Sequence, residues 1–162
     1  MPHLQSDLQA QYMSLVKENA GIIYKVIRLY IDNIEDQKDL YQEIVLQAWH
    51  SFTRFDGRSK FSTWLYKVSL NTVLTFRRKN SRIPTDDLEK ASGYALPGDK
   101  NDDTEMLMMA IKSLGETDRA IVSLHLDGYE NEEIAEITGL TKNHVAVKLH
   151  RIKQQLTKKL NG

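Results

Sequence analysis

A chain of 162 residues, 41% hydrophobic and 27% charged, has the composition of a folded globular protein and can hold one domain or two small ones. It has no cysteine, which excludes disulfides and thiolate metal sites and fits most easily with a reducing cytoplasm. No run approaches the roughly 18 apolar residues of a membrane span, and the N-terminus lacks a signal-peptide pattern, so neither membrane insertion nor export is expected.

In the first half, apolar residues recur at helical spacing and predict helices near 6–18, 20–32, 36–53 and 61–79. The second is carried by Ile22, Ile23, Val26, Ile27 and Tyr30, and the third by Leu40, Ile44, Val45, Ala48 and Trp49. Trp64, Leu65, Val68 and Val73 carry the fourth, which places Trp64 in the core. Phe55-Asp56-Gly57 supplies turn chemistry after the third helix, and Ser62 or a neighbour starts the next. The stretch 82–103 holds Pro84, Gly93, Pro97 and Gly98 with few large apolar residues, and so reads as a flexible linker with a span on the order of 25 Å. Beyond it Met106, Leu107, Met109, Ala110, Ile111 and Leu114 resume helical spacing, with the methionines expected as core filling. The chain therefore reads as all-α, with two small helical domains at 1–81 and 104–162.

The segment GYENEEIAEITGLTKNHVAVKLHR, from Gly128 to Arg151, has the pattern of a helix-turn-helix. Ile134 and Ile137 set a short helix, Ala135 allows a close crossing, and Gly139 takes the turn. Val145, Leu149, Ile152 and Leu156 form the stripe of a second helix, with Thr141 as its N-cap. The N-terminal end of that helix, with Lys142, Asn143 and His144, is the part that enters a major groove in this motif. Asn143 and His144 are then candidates for base edges, and Lys142, Lys148 and Arg151 for phosphates; the alternative for each cation is a solvated surface.

Charge is zero overall, with 22 basic and 22 acidic residues, but it is unevenly spread. Eight basic residues and one acid lie between Arg54 and Arg82, and six basic residues and no acid follow Thr141. Five acids lie between Asp32 and Glu43, seven between Asp86 and Glu105, and four between Glu130 and Glu136. Two basic surfaces suit a protein that grips DNA at two places, where phosphate contacts supply sequence-independent affinity.

The stretch DLYQEIVLQAWHSFTRFDGRSKFSTWLYKVSLNTVLTFRRKN, Asp39 to Asn80, closely resembles region two of sigma factors. LHLDGYENEEIAEITGLTKNHVAVKLHRIKQQL, Leu124 to Leu156, resembles region four. Two motifs in this order, with a linker between them, resemble the extracytoplasmic-function group of the sigma-70 family. The resemblance implies a factor that binds core RNA polymerase and directs promoter recognition and DNA melting. It implies docking on the clamp helices of the polymerase by Asp39, Leu40, Gln42, Glu43 and Gln47; Asp39 and Glu43, four apart, share a helix face. The loop Phe52 to Ser62 matches the segment that holds a base flipped from the minus-ten element, and Asn71 matches an asparagine lining that pocket. Phe55, Phe61 and Tyr66 among Arg58, Lys60, Lys67, Arg77 and Arg78 suit single-stranded DNA, bound by stacking and charge. Thr141, Lys142, Asn143, His144, Lys148 and Arg151 would meet the minus-thirty-five duplex, and an anti-sigma protein is an implied partner.

Two positions depart from the family pattern: Glu130 stands where a capping serine is usual, and Ala146 where a lysine is common. No nucleophile–base pair, phosphate-cradling glycine loop or zinc-ligand spacing occurs, and His144 and His150 lack further ligands at suitable spacing. No catalytic residue, cofactor or metal is therefore expected. The competing readings are a stand-alone helix-turn-helix regulator, which needs a dimer to read paired half-sites, and a helical adaptor without a DNA role.

Overall fold

The computed structural model describes residues 2–80 and 102–161, with side chains from Ser6 and from Asp103 onward in the two stretches. Eight α-helices and no strand occur among these residues, and they form two compact units of four helices each. The expected linker lies outside the described residues except for its last two positions.

The first unit contains α1 (Pro2–Glu18), α2 (Ala20–Tyr30), α3 (Ile34–Phe52) and α4 (Phe61–Asn80). α3 starts two residues before its predicted start because Asn33 caps it, the side-chain Oδ1 accepting from the Asp36 N–H at 3.0 Å. Gln37 donates from Nε2 to the Ile31 carbonyl at 2.8 Å and so covers the exit of α2. Leu40, Ile44, Ala48 and Phe52, each four residues after the last, lie on one stripe of α3 and are all buried. They meet Ile23, Val26 and Ile27 of α2 and Leu65, Tyr66, Leu70 and Val73 of α4 in one core. Each buried Val, Leu, Ile or Phe side chain among them contributes about 1.5–3 kcal/mol through removal of apolar surface from water.

Among its described side chains, α1 is held by Tyr12 and Val16, both buried. Tyr12 is 1% exposed, its ring centroid is 5.1 Å from those of both Trp49 and Phe52, and its hydroxyl donates to the Val45 carbonyl. Burial, with a smaller repulsion from Tyr41, raises the Tyr12 phenol from 10.0 to about 12. The Arg77 guanidinium lies 5.4 Å over the Tyr30 ring and fastens the end of α4 to α2.

The second unit contains α5 (Asp102–Lys112), α6 (Glu116–Leu126), α7 (Asn131–Thr138) and α8 (Lys142–Asn161). The sequence reading names no helix over α6. Ala120 to Leu124 are five consecutive buried residues, so α6 is covered on nearly all sides and shows no one-sided stripe to find. The expectation of core methionines fails for two of them: Met106 is 49% and Met109 71% exposed, while Ala110, Ile111 and Leu114 supply the buried side of α5.

The turn of the helix-turn-helix is built as its residues require. Gly139 has φ 79° and ψ 11°, the left-handed region, and its N–H donates to the Ala135 carbonyl at 2.8 Å. Thr141 Oγ1 accepts from the His144 N–H at 3.1 Å and caps α8. At α7 the Glu133 carboxylate accepts from the Glu130 N–H at 3.3 Å, so Glu130 is supported from the third helical position in place of a serine cap.

Gly139→Ala should cost about 1–2 kcal/mol in thermal or urea denaturation of the full chain, because a Cβ at that φ is strained. Gly21→Ala, in α2 with open space around a Cβ, should instead gain a few tenths of a kcal/mol, ~0.5 at most. The raised Tyr12 phenol means that the folded chain holds this proton more tightly than the unfolded one. Its contribution is therefore complete below pH 10 and lost as pH rises from 10.0 toward about 12. Alkaline denaturation of Tyr12→Phe should show a smaller loss over that window than the parent protein.

Candidate nucleic-acid interface

Burying one stripe of α4 turns Lys67, Asn71, Thr75 and Arg78, at spacings of four, four and three, to the opposite face, where all are exposed. Thr75 donates from its hydroxyl to the Asn71 carbonyl at 2.7 Å, and Arg78 Nη2 to Thr75 Oγ1 at 3.4 Å, which leaves the Asn71 amide outside these contacts. At the start of the same face Trp64, expected in the core, is half-buried. It packs on Phe55 at 5.3 Å, Phe61 at 5.4 Å and Phe52 at 6.2 Å.

The loop between α3 and α4 is pinned at both ends by these rings, Phe55 and Phe61 meeting edge to face at 5.9 Å. Its tip is set by Asp56, whose carboxylate accepts from the Arg58 N–H at 3.1 Å and pairs with the Arg58 guanidinium at 2.9 Å. Gly57 between them has φ 77°. Arg58 and Lys60 are exposed, and Phe55 and Phe61 each keep part of a ring accessible.

Two expected site residues do not reach the surface. Tyr66 is 1% and Leu40 3% exposed. Both fall on the stripes that face α2, so the same periodicity that buries them removes them from any outer contact surface. Arg77 is half-buried against Tyr30 and acts chiefly as packing, while Arg78 remains outside.

On α3 the opposite face carries Asp39, Gln42, Glu43 and Gln47, all exposed, with Gln47 Nε2 donating to Glu43 Oε1 at 2.9 Å. Leu46, which the sequence reading leaves unassigned, is 50% exposed among them. Its signal is phase: it lies two residues after Ile44 and two before Ala48, half a turn from the core stripe.

On α8, Val145, Leu149, Ile152 and Leu156 are buried, and Thr141, Lys142, Asn143, His144 and Arg151 are exposed. Two of the expected phosphate ligands are engaged inside the unit. Lys148 pairs with Asp118 of α6 at 3.4 Å, both side chains being less than a third exposed, and Lys142 pairs with Glu132 of α7 at 3.1 Å on the open surface. Among the described residues no ion pair engages Arg151, and no three potential metal ligands come together.

Residues 15–83 match the family model for Sigma-70 region 2, and residues 104–156 that for Sigma-70 region 4. The ECF RNA polymerase sigma-E factor of Escherichia coli strain K12 is 30% identical over 141 residues, 77% of this chain and 74% of that protein. The chain belongs to the extracytoplasmic-function group of the sigma-70 family. RNA polymerase sigma factor SigV of Bacillus subtilis is 26% identical to this sigma factor over 155 residues, 93% of each chain. Two solved structures share its fold. One is the sigma factor RpoE in complex with the anti-sigma factor NepR from Bartonella quintana, with TM-score 0.74, 18% identity, and coverage of 93% of this chain and 97% of that one. The other is CnrH in complex with the cytosolic domain of CnrY, with TM-score 0.68, 20% identity, and coverage of 94% and 89%. In this sigma factor region 2 takes in α2, α3 and α4 with the connecting loop, and region 4 takes in nearly all of the second unit. No described helix is long and apolar enough to cross a membrane.

The ion pairs give the cations of α8 unequal worth toward DNA. Arg151→Ala should reduce the slope of log affinity against log salt by about 1 for duplex carrying the upstream promoter element. Lys148→Ala should change it by clearly less, because Asp118 already balances that charge. Fluorescence anisotropy across a salt series measures both, and equal changes would mean that the Asp118 pair opens on DNA.

Proposed function

We propose that this sigma factor docks on core RNA polymerase through the outer face of α3, captures the melted minus-ten element with α4 and its preceding loop, and reads the minus-thirty-five duplex with α8. The observation that carries this division of labour is the separation of charge onto different faces. Asp39 and Glu43 are exposed on α3, Lys67 and Arg78 on α4, and α8 has no acid along its length. An acidic face carrying one exposed leucine, Leu46, suits a basic protein partner with an apolar contact at its centre.

Opening a duplex costs a few kcal/mol per unstacked step, and holding an extruded base in a shaped pocket repays it. Phe55 and Phe61 offer the accessible part of their rings for stacking, Arg58, Lys60, Lys67 and Arg78 offer charge to the backbone, and Asn71 offers an amide to a base edge. At the upstream site the capped end of α8 carries Lys142, Asn143 and His144 into the major groove. Each contact is modest alone; joining both to one polymerase raises their effective concentration without new bonds. A formal charge of zero is compatible with that design, since tight binding to arbitrary DNA is not required.

The nucleotidyl transfer belongs to the polymerase, and the chain contributes no catalytic group or cofactor. It works in the cytoplasm, where the polymerase is. An anti-sigma protein holds it inactive by covering α3 and α8; in support, the structurally similar sigma factor RpoE is found in complex with the anti-sigma factor NepR, and the similar protein CnrH with the cytosolic domain of CnrY. A stand-alone regulator would leave the whole region 2 unit without a use.

Reconstitution tests the reading: polymerase core with this chain should initiate at a defined promoter where core alone does not. Asn71→Ala should lower open-complex formation about tenfold, the scale of one buried polar contact, with core affinity within about twofold of the parent. Asp39→Ala combined with Glu43→Ala should do the reverse, weakening core affinity and leaving the opening step of the assembled complex intact. If both variants lose the same step, the assignment of faces is wrong.

A further inference from the structure

Val147 is 50% exposed, although it lies in the middle of α8. The buried stripe of that helix is Val145, Leu149, Ile152 and Leu156. At 100° per residue, Val147 falls on the opposite side, in one row with Asn143 four residues before it and Arg151 four residues after it. His150 borders the same row, and all three of these polar neighbours are exposed. A single exposed valine is ordinary on a protein surface. This one has no packing duty in its own unit, carries a β-branched cost in helix propensity, and is the apolar member of the row that the capped end of α8 leads into a major groove.

The groove offers one apolar group to such a side chain, the C5-methyl of thymine, beside the hydrogen-bonding edges that Asn143 and Arg151 suit. Resting on the reading of α8 as the upstream-element reader, we propose that Val147 is a specificity-determining residue that contacts the methyl group of one thymine in that element. The thymine lies within about two base pairs of the base reached by Asn143, since one helical turn of 5.4 Å advances less than two base-pair rises of 3.4 Å. The neighbouring Ala146 lies about 100° around the helix from Val147, outside that row, and Lys148 is turned toward Asp118 on α6.

The test uses the holoenzyme and a promoter recovered from a randomised duplex pool by its ability to support initiation. Each thymine of the upstream element is replaced singly by deoxyuridine, which removes the methyl and leaves the Watson–Crick pairing unchanged. At one position the parent protein should lose about three- to fivefold in promoter affinity, the worth of one apolar group removed from water. Holoenzyme containing Val147→Ala should bind the thymine promoter correspondingly less well and be indifferent to deoxyuridine at that position. Arg151→Ala, by contrast, should weaken binding and keep the methyl sensitivity. Insensitivity to every substitution in the parent, or an unchanged sensitivity in Val147→Ala, overturns the proposal while initiation itself continues. A holoenzyme that recovers no promoter overturns the reading of α8 beneath it, before any deoxyuridine is introduced.

Discussion

Burial of one stripe on each of α3, α4 and α8 is the constraint from which the working surfaces follow. A helix that commits Leu40, Ile44, Ala48 and Phe52 to a core has no freedom over where Asp39, Glu43 and Leu46 point. The same holds on α4, where Leu65, Leu70 and Val73 turn Lys67, Asn71 and Arg78 outward, and on α8, where Val145 and Leu149 turn out Asn143 and Val147. The exposed charged and polar faces are thus the complement of the packing pattern.

Rings and capping groups convert these faces into defined shapes. The contacts among Phe52, Phe55, Phe61 and Trp64 hold both ends of the loop before α4, and Asp56 fixes its tip through Arg58. A loop fixed in advance loses less conformational freedom on meeting any partner than a mobile one. Thr141 and Gly139 do the same for the start of α8 by setting the direction in which its first turn leaves α7. Arginine and tyrosine serve structure here as well: Arg77 over Tyr30 and Tyr12 against Trp49 close the first unit at positions where composition suggests only polar surface.

Electrostatics divide the cations into two kinds. Lys148 and Lys142 face carboxylates of the neighbouring helices, whereas Arg151 stands outside any ion pair among the described residues. The exposed Lys142 pair contributes little to stability, on the order of 0–1 kcal/mol. A lysine matched by a carboxylate also adds less positive field to the surrounding surface than an unmatched one.

The sequence by itself determined the helical class, the place of the turn at Gly139, the cap at Thr141 and the membership in a family, because each rests on local spacing or on residue types with few alternatives. The predicted bounds of α2, α3 and α4 fall within two residues of those observed. α6 was not legible, since a helix covered on nearly every side has no stripe, and Met106 and Met109 read as core because a run of apolar residues does not say which of them meets a partner. Only the tertiary structure decided that Tyr66 is a packing residue, that Trp64 joins the loop cluster, and that Lys148 belongs in part to Asp118. Those outcomes depend on which helix lies against which, a relation between residues as far apart as Asp118 and Lys148 that no local period encodes.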